Sequence, residues 1–469
     1  MRASTRIEMV IESIHGRIAS GLLGEGDKLP SVRQCAAVLH VSPATVVEAY
    51  DRMVAEGLIE AVSKSGFFVA RLAAPPKGPA QNAPARPAEV DPFWVSRQSL
   101  DADAATEKPG CGWLPPDWMP QEALRRALRA AAQDPGLLTL YGSTRGEPSL
   151  RRQLAMGMAG EGLAVHSDQV LLTGSGTQAI DLICRLMLRP GDAVLLDDPC
   201  YFNFQALLAA HNVRVIGVPF GPTGPDPAEF ETIVARERPR LYLTNSALHN
   251  PTGASLSPQV AHRLPAIAAA HGMVIVEDDI FADFAPQVPR MAVLDGLQSV
   301  IRIGSFSKTL SASLRCGYIM ARGEWIDALC DLQVATSFGG PSPLSAAAIA
   351  HVLAGGQYRK HIDGLRRRLA GARAELAGQL AQIGLSVRGN PLGGFNLWCA
   401  MPPGGDGAAL AQACRARGVV LAPGNVFSPS QSAGAYLRFN AAQTSMRALR
   451  IITEEMAHQN KGWNMSPQN

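Results

Sequence analysis

Residues 304–318, GSFSKTLSASLRCGY, follow a short β-rich run ending at Ile303 and hold one lysine, Lys308, among small hydroxyl side chains. In an ordinary strand-to-helix loop such a lysine is a solvated charge. Here Ser305 stands just before it and Arg315 seven positions after it. An amine that can form a Schiff base, with a hydroxyl and a guanidinium that can hold a phosphate dianion, suits a phosphorylated aldehyde.

The sequence on either side of Lys308 supplies what such a ligand needs. Candidate strands fall at Gln169–Thr173, Ala193–Asp197, Val213–Val218, Arg240–Thr244, Met273–Glu277 and Val300–Ile303. Short apolar runs separated by amphipathic helices predict an α/β domain whose mainly parallel sheet is covered on both faces. After about Ser337 the pattern changes to long helices and then to a smaller α+β region. TGSGTQAIDL begins at Thr173, at the end of a strand, and opens a helix, so Ser175, Gly176 and Thr177 can offer N–H groups to a phosphate. Asp278, in the strand VIVEDD, could keep a pyridine nitrogen protonated and make the ring an electron sink. Asn250, in HNPTG, could donate to a ring oxygen, and Tyr201, after Asp198-Pro199-Cys200, could stack on the ring.

This order of motifs resembles the fold-type I aminotransferases of class I/II over roughly Trp113–Ala457. The resemblance implies pyridoxal 5'-phosphate (PLP) as cofactor, held as an internal aldimine on Lys308, with Asp278 at the pyridine nitrogen and Asn250 at the ring oxygen. It also implies Tyr201 stacked on the ring and the phosphate held by Ser175, Gly176, Thr177, Ser305 and Arg315. Arg438, in YLRFN, would bind a substrate carboxylate. Tyr141, in LYGSTRGEPSLRRQLA, would reach the phosphate of a neighbouring subunit, which makes the domain a homodimer with sites at the interface. One departure concerns catalysis. Relatives usually carry a tyrosine two or three residues after the ring aspartate, and here those positions are Ile280 and Phe281, neither a donor. Asn396, in GGFNLW, and Phe427 fall near the expected substrate pocket.

The N-terminal segment reads differently. Ser31 can cap a helix over Val32–Leu39, and Ser42 followed by Pro43 suits the start of a second helix. That helix places Val46, Ala49, Tyr50 and Met53 on one buried face. Leu58–Ala61 and Phe67–Ala70 flank a polar turn, Ser63–Gly66, with Lys64 at its tip. The segment from Gly26 to Ala70 resembles the winged helix-turn-helix of the GntR family, by which Arg33, Ser42, Thr45, Lys64 and Gly66 would contact double-stranded DNA. Relatives commonly carry arginine directly after the serine of the recognition helix; this chain has Pro43.

Together the two resemblances match the MocR-type regulators, in which such a reader is fused to an aminotransferase-like domain. They imply a DNA-binding transcription regulator that senses PLP or an amino compound through Lys308. The alternative is an active aminotransferase with an appended reader, and the missing donor at Ile280/Phe281 argues for slow turnover. The expected divisions are a reader at 1–71, a Pro/Ala-rich linker and lead-in at 72–112, the PLP domain at 113–460 and a tail at 461–469.

Composition sets bounds on these readings. The 469 residues exceed one ordinary core, and a net charge of +3 does not by itself imply nucleic-acid or membrane binding. Residues 1–71 hold eight Lys/Arg against eight Asp/Glu, so DNA contact there depends on local placement of charge. The eight cysteines are scattered without a C-x-x-C pair, which predicts neither disulfides nor a metal site. No signal peptide or spanning segment is evident, and a cytoplasmic location is expected.

Overall fold

The computed structural model describes residues 6–70, 90–103 and 105–463, with side chains to residue 459. The chain divides between residues 87 and 88 into two compact units. Residues 71–89, the end of the expected reader and the first part of the expected linker and lead-in, lie outside the described residues, as does the end of the expected tail, 464–469.

The first unit packs α1 (Arg6–Ala19), α2 (Val32–Leu39) and α3 (Pro43–Ala55) beside an antiparallel hairpin, β1 (Ile59–Val62) and β2 (Gly66–Val69). Val10, Ile14, Leu29, Tyr50, Met53 and Ile59 form its core. Helix α2 opens with a capping box in which Ser31 and Gln34 satisfy each other's backbone N–H. At α3 the Ser42 hydroxyl accepts from the Thr45 N–H at 3.2 Å. The hairpin turn needs left-handed backbone at Lys64 (φ 62°) and Gly66 (φ 107°), and glycine adopts the latter without strain.

The second unit contains a seven-stranded sheet and a four-stranded one. The large sheet comprises β3 (Val170–Thr173), β4 (Ala193–Asp198), β5 (Arg214–Pro219), β6 (Leu241–Thr244), β7 (Val274–Asp278), β8 (Val300–Ser305) and β9 (Gly317–Met320). Its order is β3-β9-β8-β7-β6-β4-β5, and only β9 runs antiparallel to its neighbours. Apolar clusters cover both faces, as the buried inner strands require, while the edge strand β5 is partly exposed. The small antiparallel sheet takes the order β10 (Ser386–Arg388), β11 (Asn396–Ala400), β13 (Tyr436–Asn440), β12 (Ala422–Pro423).

Three features differ from the sequence-based expectation. The Lys308 loop joins two strands, β8 and β9, rather than a strand and a helix. Within the expected lead-in, α4 (Pro92–Leu100) buries Trp94 and Val95 in the small-sheet core, so that stretch is part of the second unit. The last helix, Met446–Trp463, continues three residues past the expected end of the domain. Among the described residues, no helix is long and apolar enough to cross a membrane, and no cluster of metal-binding side chains occurs. All eight cysteines are free and buried.

Candidate functional site

In a sheet of this kind, parallel strands deliver side chains at their carboxyl ends, where loops diverge and a crevice opens. Asp278 is the last residue of β7, Ser305 the last of β8, and Asp198 the last of β4, with Tyr201 three residues on. Asn250 lies in the turn that follows β6. The sheet therefore gathers residues that are distant in sequence.

Lys308 is partly buried, and its ammonium is disfavoured there. Burial foremost, and then the positive charge of Arg438, lower its pKa from 10.5 to about 8, with Asp278 acting in the opposite direction. Asp278 is shifted the other way: burial raises its carboxyl to about 7 despite the Ile280 N–H donated to Oδ1 at 3.3 Å. The Lys308 loop is held from outside. Tyr358 donates to Thr309 Oγ1 at 2.9 Å, and the His361 ring lies 2.9 Å from the Thr309 carbonyl oxygen. Neither residue was marked in the sequence, because both sit on the long helix Gln357–Gln382, about 50 positions downstream, with no local motif.

The glycine-rich turn opens the helix Gly176–Met187. The Ser175 hydroxyl is committed as N-cap, accepting from the Gln178 N–H at 3.0 Å, while the first-turn N–H groups of Gly176 and Thr177 lack intrahelical acceptors. Gly317 on β9 permits this turn to approach the sheet. A Cβ there would lie 2.7 Å from the Ser175 carbonyl carbon and 2.8 Å from the Gly176 nitrogen. Ser305 is bonded within the lysine loop, 3.1 Å from both Ser307 Oγ and the Cys316 carbonyl oxygen. Arg315 is exposed, adopts a positive φ of 48°, and makes no ion pair among the described residues.

Arg438 is the most constrained group. It is only 1% exposed, yet no carboxylate lies within ion-pair distance among the described residues. It donates to Asn250 Oδ1 at 2.8 Å and to the Gly110 carbonyl oxygen at 2.6 Å, while its Nε has no partner. The Phe427 ring centroid lies 4.9 Å from its guanidinium and that of Phe202 6.0 Å away. Burial lowers its pKa to about 10, with Cys111 and Tyr201 opposing. A buried cation without a counter-ion is costly unless an anion completes the site. The orphaned Nε, the ammonium-disfavouring surroundings of Lys308 and the free helix N-terminus fit a phosphorylated cofactor and a carboxylate-bearing ligand.

Ile280 and Phe281 carry no hydroxyl. Phe281 is buried against Phe395, with ring centroids 5.6 Å apart, in an apolar cluster with Phe284 and Leu365. Asn396 is buried with an unpartnered Oδ1. Tyr141 stands apart from these groups within one protomer: it is 81% exposed and meets Phe338 edge-on at 5.0 Å. In the first unit Arg33, Ser42, Lys64 and Gly66 are exposed and Thr45 partly so.

A family model for aminotransferase class I and II matches residues 114–455. The chain belongs to this family. A second model, for bacterial regulatory proteins of the gntR family, matches residues 6–69, which gives the family member the MocR-type architecture. Pyridoxal 5'-phosphate is the cofactor that membership implies. The chain is 30% identical to the uncharacterized HTH-type transcriptional regulator YjiR of Escherichia coli, covering 96% of this chain and 98% of that one. It is 28% identical to the HTH-type transcriptional regulator TauR of Rhodobacter capsulatus, over 90% and 88% of the two chains. The 2-aminoadipate transaminase of Thermus thermophilus is 29% identical over 69% of this chain and 83% of its own. Among solved structures, the α-aminoadipate aminotransferase LysN of Thermus thermophilus superposes with a TM-score of 0.70 at 24% identity, covering 78% of this chain and 94% of its own. That likeness supports the fold.

Proposed function

We propose that this MocR-type protein binds a DNA operator through residues 6–69 and adjusts that binding when an amino compound enters its PLP domain. The observation that carries the proposal is the presence, in one chain, of a GntR-family reader and an amine-capturing site with an unpaired buried arginine, Arg438. Relatives named HTH-type transcriptional regulators that match along nearly their whole length support the regulatory reading.

When bound, the cofactor supplies an aldehyde that condenses reversibly with amines and a ring that withdraws electrons. Lys308 would hold it by its amine, a good nucleophile near neutrality because burial disfavours the charged form. Asp278, as a carboxylate, would keep a proton at the ring nitrogen, the ring's positive charge offsetting the burial that raises its pKa; Asn250, whose Oδ1 is taken by Arg438, keeps its Nδ2 as donor for the ring oxygen. Tyr201 would cover the ring face. Gly176 and Thr177 would meet the phosphate with backbone N–H groups, joined by Ser175, Ser305 and Arg315. Arg438 would select ligands that carry a carboxylate beside the amine.

The fold typically forms dimers, and the exposed Tyr141 suits a residue that completes the site of a second subunit. In the reader, Arg33, Ser42, Thr45, Lys64 and Gly66 would contact DNA. Efficient transamination is disfavoured by the apolar Ile280 and Phe281, which leave the ring oxygen short of one donor. Regulation requires the ligand to bind two arrangements of the protein with different affinity. An electrophoretic mobility shift on DNA upstream of the protein's own gene, with and without amino acids, tests the proposal. Binding that changes with ligand supports it, and no binding in any state contradicts it.

A further inference from the structure

The face that α3 offers to DNA differs in chemistry from that of an arginine-bearing reader. Val46, Ala49, Tyr50 and Met53 are buried, which leaves Ala44, Val47, Glu48 and Asp51 on the opposite face at the same helical spacing, all exposed. Val47 is 43% exposed. Pro43, at the first helical position, is exposed beside Ala44. From Ser42 to Asp51 there is no lysine or arginine. The two hydroxyls at the helix start are committed to each other, Ser42 Oγ lying 2.8 Å from Thr45 Oγ1. The first cation on the helix, Arg52, is bound by Glu48 at 2.6 Å.

A recognition helix enters the major groove with its N-terminal residues against the base edges. That orientation suits this helix, since its N-terminal end carries the positive end of the helix dipole and its acidic side chains, Glu48 and Asp51, come later. The groove surface that complements small apolar side chains is the thymine 5-methyl group, whereas guanine needs a donor pair such as arginine provides. On the operator-binding reading proposed above, we infer that Pro43, Ala44 and Val47 specify thymines in each half-site through their methyl groups, with no guanine contact from the first turn of α3. Pro43 and Ala44 bring the helix end close to the groove floor, and Val47 supplies the larger apolar surface one turn on.

The test uses the full-length PLP-loaded protein and a pool of random-sequence duplex DNA. Selection should enrich thymines at the positions beneath α3. Replacing those thymines by deoxyuridine, which removes only the methyl, should weaken binding by about three- to fivefold per methyl, the factor expected for one buried carbon. Val47→Ala should lower that sensitivity at one position, and Pro43→Arg should introduce a guanine preference. Enrichment of guanine beneath α3 in the unmodified protein, or indifference to deoxyuridine, would overturn the inference and leave operator binding intact. Failure to enrich any duplex would overturn both.

Discussion

The buried cation Arg438 raises the cost of charge on Lys308. For Lys308 the consequence is a pH dependence with a definite sign. Its neutral amine is the reactive form, and the fraction neutral grows as pH rises through about 8 instead of the usual 10.5. Uptake of added PLP by cofactor-free protein, followed by absorbance, should therefore accelerate between about pH 7 and 9 and level off above that range. A rate still climbing through pH 10 would mean that the lysine is not desolvated. Arg438→Leu should still bind PLP, with the pH midpoint of its uptake moved upward, and should weaken amino-acid binding by about tenfold to a hundredfold, the worth of hydrogen bonds to a charged group. Amino-acid titration of the cofactor spectrum measures this. At this scale the sequence was informative for Lys308, Asp278 and Asn250, which lie in local motifs. It did not indicate that Asn250 and Arg438 bond to each other across 188 positions, or that Tyr358 and His361 brace Thr309.

Elements fix the spacing on which those residues depend. Strand β9 lies between β3 and β8, and its first residue, Gly317, is packed against the turn at Ser175–Gly176. Gly317→Ala should displace that turn and lower PLP affinity by at least about tenfold, measured by equilibrium dialysis, with far-ultraviolet circular dichroism unchanged. Near-normal affinity would remove this turn from the phosphate site. Strand β9 was not foreseen because it is only four residues long and follows a loop whose hydroxyls and basic residue mask any strand pattern. Helix α4 escaped notice for a different reason. Its apolar residues Phe93, Trp94 and Val95 are contiguous rather than three or four apart, so no amphipathic period is visible. The buried Trp94 nevertheless predicts a cost of about 3–5 kcal/mol for Trp94→Ala, measured by denaturant unfolding. In the reader, Ser42 was expected as a DNA contact, and its hydroxyl caps α3. Ser42→Ala should thus cost about 1 kcal/mol of reader stability in addition to any effect on DNA.

Across the whole molecule, the alternation of strand and helix patterns foretold the mainly parallel sheet, and the Pro/Ala-rich stretch marked the division into two units. Association between chains was legible only through family resemblance. The second unit exposes Leu138 (56%), Leu140 (68%), Tyr141 (81%) and Phe338 (68%), apolar side chains that a dimer would cover. Sedimentation velocity should find a dimer, and the double variant Leu140→Asp, Phe338→Asp should shift it towards monomer with loss of PLP retention. A double variant that stays dimeric would place the interface elsewhere. On the proposed function, ligand capture in one unit is felt by the DNA reader in the other. The most direct measurement is fluorescence anisotropy of a selected operator duplex, bound by PLP-loaded protein and titrated with amino acids, beside the same titration of Lys308→Ala. At least one amino compound should change operator affinity by about fivefold or more in the unmodified protein and have no effect on the variant. Operator affinity that is identical with and without every bound amino compound, or a response that persists in Lys308→Ala, would contradict it.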